Sequence, residues 1–200
     1  MYLPVLAGDA AALAFFRRSG YAERADIDHL LLADAEIDTD PMTREAVADD
    51  YDEVGALFDE TRQFHHDLAP DDYVAPQRPT LQWERFAWYI ETDRAGPGVA
   101  EHEGPIVGIV QARIVPSLVF AEGRHGSVTA LHVSQSRRGG GVGSALVHHC
   151  HHWFHEHGVP QVQLRVGNEN TGARGFYRRL GHGPLFLDLA RTLGETDAAR

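Results

Sequence analysis

The chain of 200 residues has a single cysteine, Cys150. That excludes an internal disulfide framework and suits a reducing cytoplasm. No run of 18 apolar residues occurs, so no membrane-spanning helix is expected. No basic region precedes a long apolar run at the N-terminus, so no secretory signal is read there. Cationic side chains are few: 18 Lys and Arg against 29 Asp and Glu, a formal charge of −11. Nucleic-acid binding needs a basic face, so this balance argues against it and favours a cationic small molecule or a basic peptide. What is present is 43% hydrophobic residues, enough for one well-cored domain and a short appendage.

Ile37 to Pro41 reads as an acidic break, after which Met42 to Val47 forms a short strand. Asp49 and Asp50 can cap a helix with apolar positions Val54, Leu57, Phe58 and Phe64. An aromatic-rich helix over Leu81–Ile90 is stopped by Gly96-Pro97-Gly98. Strands are expected at Gly98–His102, Ile106–Val115 and Val128–Val133, with a loop or short extension over Val119–Gly123. A helix over Gly141–His157, a strand over Gln161–Val166, a helix over Thr171–Leu180 and a strand over Leu185–Leu189 close the chain. An antiparallel meander followed by alternating strands and helices indicates a mixed α/β sheet.

The first forty residues echo the end. Ala12, Phe15, Arg17, Arg18 and Gly20 recur as Ala173, Phe176, Arg178, Arg179 and Gly181, with Phe16 matched by Tyr177. Each copy leads into an apolar strand, His29–Leu32 in one case and Leu185–Leu189 in the other. Residues 1–36 therefore read either as an amphipathic helix that merely ends in glycine, or as the closing helix and strand of another copy.

The densest motif is Arg138-Gly139-Gly140-Gly141-Val142-Gly143, delivered by a strand into a helix. Glycines permit positive φ and close backbone approach, and a helix start aims unpaired N–H groups at an anion. Arg138 adds positive charge there. A Walker loop would need lysine before Ser144, and a dinucleotide fingerprint would need a third glycine; both are missing.

The chain resembles the GNAT superfamily of acetyl-CoA-dependent N-acetyltransferases. The turn Arg138–Gly143 matches its Arg/Gln-x-x-Gly-x-Gly/Ala signature behind Leu131-His132-Val133, and Asn170–Gly181 matches Asn-x-x-Ala-x-x-Phe-Tyr-x-x-x-Gly. The likeness covers residues 42–192; residues 1–41 resemble only the closing helix and strand of another such domain, leaving 42–200 as the acetyltransferase domain. It implies a mixed, largely antiparallel sheet with a parallel-strand splay, flanked by helices. It also implies acetyl-CoA as co-substrate, held by Leu131, His132, Val133, Arg138, Gly139, Gly140, Gly141, Val142, Gly143, Ser144, Asn170, Ala173, Phe176 and Tyr177. Tyr177 would protonate the departing thiolate, Asn170 would cap the last helix, and a backbone N–H near Leu131–Val133 would polarise the thioester carbonyl.

The acceptor expected is a primary amine, attacked directly, on a small molecule or peptide; a homodimer is compatible. Deprotonating an alkylamine at neutral pH costs roughly 4–5 kcal/mol. Some relatives use a glutamate on the strand entering the turn, but Ser127–His132 holds no carboxylate. The candidate bases are His132, Glu101, Glu103 and Glu122. Without that glutamate, a non-catalytic acyl-CoA-binding regulatory module is the alternative. The histidines at 148, 149, 151, 152, 155 and 157 crowd one helix. They are expected to form a solvated face, with no metal required.

Overall fold

The structure, a computed structural model, describes residues 2–32, 40–77, 79–118, 120 and 122–190. In chain order its elements are β1 (Tyr2–Leu6), α1 (Ala10–Arg18), β2 (Ala22–Leu31), β3 (Thr43–Glu45), α2 (Tyr51–Leu68) and α3 (Trp83–Glu91). They continue as β4 (Ala95–Glu101), β5 (Ile106–Pro116), β6 (Arg124–Val133), α4 (Val142–Glu156), β7 (Gln161–Gly167), α5 (Thr171–Arg179) and β8 (Gly183–Ala190). The chain is a mixed α/β protein, its strands largely antiparallel with one parallel pair and flanked by helices. Contacts group it into two compact units, Leu31–Gln163 on one hand and residues up to Leu30 with those from Leu164 on the other.

In the central unit β3, β4, β5 and β6 form an antiparallel meander, with Glu45 opposite Gly98, Val99 opposite Ile109 and Ile109 opposite His132. Seven consecutive residues of β5, Ile106 to Ala112, are buried, because helices cover both faces. Val54, Leu57 and Phe58 of α2 and Phe86 of α3 pack on Val99 and Ile109 from one side. From the other side α4 lies almost on the backbone. A Cβ placed at Gly98 would sit 2.6 Å from His149, at Gly108 2.9 Å from Leu146 and at Gly126 2.6 Å from Phe154, and one at Gly96 would overlap Trp153. This glycine seat corrects two expected boundaries. Gly96-Pro97-Gly98 does not end a helix but lies inside β4, and β6 begins at Arg124 rather than Val128.

Other differences have local causes. Asp50 does not cap α2 through its side chain; a short 3-10 turn over Ala48–Asp50 comes first. Its carboxylate instead receives Arg44 Nη1 at 2.7 Å and Nη2 at 2.9 Å and the Val47 N–H at 2.8 Å. The Arg44 bond holds the Asp50 carboxyl below its usual range. The histidine helix is not wholly solvated: His151 is buried, and burial pushes the half-buried His149 down. Among the described residues no cluster of three or more His, Cys, Asp or Glu is placed to hold a metal. None of the described helices is long and apolar enough to cross a membrane. Positions 37–39 of the acidic break, and Val119 and Ala121 of the expected loop, lie outside the described residues.

The other unit holds β1, α1, β2, the second half of β7, α5 and β8. Strand β8 pairs antiparallel with both β1 and β2. Strand β1 has no counterpart in the expected elements, and β2 starts at Ala22, well ahead of His29. Its buried residues include Asp26 and Asp28, so apolar periodicity could not outline it.

Gly126→Ala should lower stability by about 1–3 kcal/mol in chemical denaturation, since the buried Phe154 ring cannot yield. Gly55→Ala, helical and with nothing within 4 Å, should instead raise it by about 0.5–1 kcal/mol.

Candidate functional site: a glycine turn beside a buried histidine

Strand β6 ends at Val133, and a 3-10 turn over Gln135–Arg137 leads to the glycines. Gly139 has φ +80° and Gly141 φ +88°, and nothing lies within 4 Å of a Cβ built at either. Glycine is therefore required for backbone conformation, and the space beside it is open. Gly141 is the N-cap of α4 and supplies no side-chain cap, so the first N–H groups of the helix have no partner within it. Val142 is buried and anchors the helix start above Gly108. The turn thus presents backbone donors, a helix N-terminus and an arginine together, the attributes of a phosphate cradle.

Arg138 is held in place. Its Nε–H donates to the Val133 carbonyl at 3.0 Å, and its guanidinium carbon lies 5.2 Å from the centre of the Phe64 ring. Only one of its five N–H donors is engaged by that bond, which leaves the planar fork suited to an oxyanion. Phe64 comes from α2, and one helical turn before it stands Glu60. The Glu60 carboxylate meets His132 at 3.1 Å, Oε2 to Nε2. One stripe of α2 therefore braces both Arg138 and His132, an i, i+4 pair serving two residues six apart on the strand and turn.

His132 is the only buried candidate base, at 6% exposure. Burial pushes its imidazole below the ordinary range, and Glu60 partly offsets that. The ring is thus neutral at physiological pH, with a carboxylate to receive positive charge if it takes a proton.

The chain matches the Acetyltransferase (GNAT) family over residues 62–182. It belongs to that family. An uncharacterised N-acetyltransferase of Methanocaldococcus jannaschii is 31% identical over 111 residues, 56% of this chain and 49% of that protein. The chain thus spans about half the length of that relative. The BH1408 protein of Bacillus halodurans, in a tetramutant crystal structure, superposes with TM-score 0.65 at 24% identity, over 76% of this chain and 97% of its own. A GCN5-related N-acetyltransferase from Sphaerobacter thermophilus superposes with TM-score 0.58 at 21% identity, over 94% of this chain and 58% of that one. At such identities the two structures speak for the fold.

The other carboxylates singled out from sequence are engaged elsewhere in this GNAT chain. Glu101 is bound by Arg44, whose Nε–H donates at 2.7 Å. Glu103, at φ +56°, pairs with Arg137 at 3.4 Å and with His102 at 3.7 Å. Glu122 accepts from Gln161 at 3.1 Å. Each is tied to a surface partner, and none shares the braced position of His132. No local motif marks Glu60 in the sequence; only the fold brings it to His132.

The residues of the second signature lie in the other unit. The Asn170 side chain accepts the Ala173 N–H at 3.0 Å and so caps α5. Ala173 and Phe176 are partly exposed. Tyr177 is buried, its ring 5.0 Å from Phe176 and 5.5 Å from His182 between centroids.

The His132 ring should titrate below the usual histidine value in a 15N or 13C NMR pH series. Glu60→Gln should lower it further, since removing the anion withdraws the one influence that raises it. A normal titration in the native chain would show that the ring is not buried against α2.

Proposed function

We propose that this chain is an N-acetyltransferase that binds acetyl-CoA at Arg138–Gly143 and acetylates a primary amine, with His132 as proton acceptor. The observation that carries the reading is the Glu60–His132 pair on the strand that runs directly into the glycine turn. The turn fits the group: positive-φ glycines with open space beside them, an uncapped helix start and a braced arginine suit a pyrophosphate. When bound, acetyl-CoA supplies an acetyl thioester, which an uncharged amine can attack.

The chain's own residues then have distinct tasks. Backbone amides of Gly139–Gly143 and Ser144 with the Arg138 guanidinium hold phosphate. Backbone at Leu131–Val133 aligns the thioester-bearing arm, and an N–H there stabilises developing negative charge on the carbonyl oxygen. His132 donates its Nε2–H to Glu60, so Nδ1 takes the ammonium proton of the acceptor, directly or through one water, while Glu60 stabilises the imidazolium. Tyr177 is the proposed proton donor to the thiolate, on the strength of its motif position. The formal charge of −11 favours a cationic acceptor such as a polyamine, an aminoglycoside or a basic peptide.

A CoA-release assay across those amine classes tests the reading; acetyl-CoA binding with no turnover on any amine would leave a binding module instead. In an active assay, His132→Ala should reduce kcat by about 10²–10⁴-fold, and kcat/KM should fall on the acid side as His132 becomes protonated. Because burial lowers that imidazole, the acid limb should lie below the ordinary histidine range, and Glu60→Gln should move it lower. Gly141→Leu should abolish acetyl-CoA-induced thermal stabilisation, since φ +88° disfavours any side chain; undiminished stabilisation would remove the turn from the site.

A further inference from the structure

The likeness between the first thirty residues and the closing segment holds far beyond sequence. Adding 161 to a residue number carries Gly20 onto Gly181, and the same shift maps one set of contacts onto the other. Asp9 accepts the Ala12 N–H at 2.9 Å, and Asn170 accepts the Ala173 N–H at 3.0 Å. Gly20 has φ +82° and Gly181 φ +87°. The Tyr21 N–H donates to the Phe16 carbonyl at 3.1 Å, and the His182 N–H to the Tyr177 carbonyl at 3.1 Å. The Phe16–Tyr21 rings are 5.4 Å apart at 73°, and the Tyr177–His182 rings 5.5 Å apart at 71°.

The strand register obeys the same rule. Strand β2 pairs with β8 as Ala22 opposite Ala190, Ala25 opposite Asp188, Asp26 opposite Leu187, Ile27 opposite Phe186 and His29 opposite Gly183. Shifting each member by 161 and exchanging strands turns the first pair into the last and the second into the fourth, and leaves Asp26–Leu187 on itself. The register irregularities fall at Arg24 and Leu185, which are also equivalent. Even the flanking bonds correspond: Ala7 N–H to the Leu185 carbonyl and Asn168 N–H to the Arg24 carbonyl, both 3.0 Å. The unit is thus built about a local twofold through Asp26 and Leu187, of the isologous kind that joins two identical protomers.

The symmetry is broken at a buried contact between helix and strand. Leu13 of α1 packs in an apolar cluster with Leu187 of β8. At the equivalent place Arg174 of α5 donates to the buried Asp26 of β2, Nε to Oδ2 at 2.9 Å and Nη2 to Oδ2 at 2.8 Å, with Arg178 at 3.7 Å. If β8 of a second chain replaced β2, Arg174 would meet Leu187 of that chain and lose its carboxylate.

We propose that β1–α1–β2 is a second copy of β7–α5–β8, occupying in cis the seat that the closing segment of another copy of this chain fits, and that the Asp26–Arg174 pair reserves the seat for the N-terminal segment. The unit is a strand-exchanged dimer interface folded within one chain. The ion pair opposes the homodimer, because leaving Arg174 against leucine is worse than keeping it on Asp26.

Full-length double variants separate this from a chance likeness. With Asp26→Arg and Arg174→Leu, the cis segment brings a charge onto leucine, while a second chain brings Leu187; this protein should dimerise. With Asp26→Leu and Arg174→Leu, an apolar contact is restored in cis, and this exchange should not occur. Leu187→Cys added to each reports the geometry, because the two positions 187 face each other across the exchanged twofold. An interchain disulfide should form under mild oxidation in the first background only. Arg174→Leu alone, which admits either occupant, should crosslink increasingly with concentration. Light scattering checks the mass. Absence of the crosslink at position 187 from both the Asp26→Arg/Arg174→Leu and the Arg174→Leu proteins would overturn the proposal, as would equal crosslinking in the two double variants.

Discussion

The close approach of α4 to the strands beneath it is the constraint on which the central unit depends. Gly98, Gly108 and Gly126 leave no room for a Cβ under His149, Leu146 and Phe154. A helix seated this low is fixed in height and direction along its length, because aromatic and leucine side chains fill the volume that strand side chains would take. Its first turn follows from that seat, with Val142 anchored over Gly108 and the chain entering through residues of positive φ. The open cradle at Arg138–Gly143 is the exposed end of a tightly packed contact. The packing beneath the turn holds its backbone in place.

The opposite face does the complementary work. Helix α2 buries Val54, Leu57 and Phe58 on the sheet and brings Glu60 to His132 and Phe64 to Arg138. Alternation along β6 sends His132 toward α2, since Ile109 opposite it belongs to the core on that side. The strand therefore divides its labour by face: packing against α4 on one side, a buried imidazole on the other. The carboxylate beside that imidazole comes from a helix, 72 residues earlier in the chain.

The other unit uses repetition in place of a new device. Two β–α–β segments with the same cap, the same glycine stop and the same ring contact interlock about a twofold. A buried ion pair stands on one side where leucines stand on the other. Repeats of this kind supply complementary edges automatically, because each strand finds a register already suited to its counterpart.

Local signals were enough for the elements whose chemistry is local. The glycine turn, the Asn170 cap, β5 and the helices α2, α4 and α5 were legible from periodicity, positive-φ residues and the two signatures. The echo of Ala12–Gly20 in Ala173–Gly181 was legible too, as was His132 as one base among four candidates. Tertiary structure decided what depends on distant partners. Glycines at 96 and 98 read as a breaker until the rings of α4 fill the space above them. Strand β2 escaped periodicity because Asp26 is buried by an arginine from the far end of the chain. Glu60 meets His132 only through folding, and Glu101, Glu103 and Glu122 are drawn to other partners by the same packing. Sequence by itself determined the residue types and the backbone conformations they permit; the charge partners had to be brought together across the chain, which no local spacing encodes.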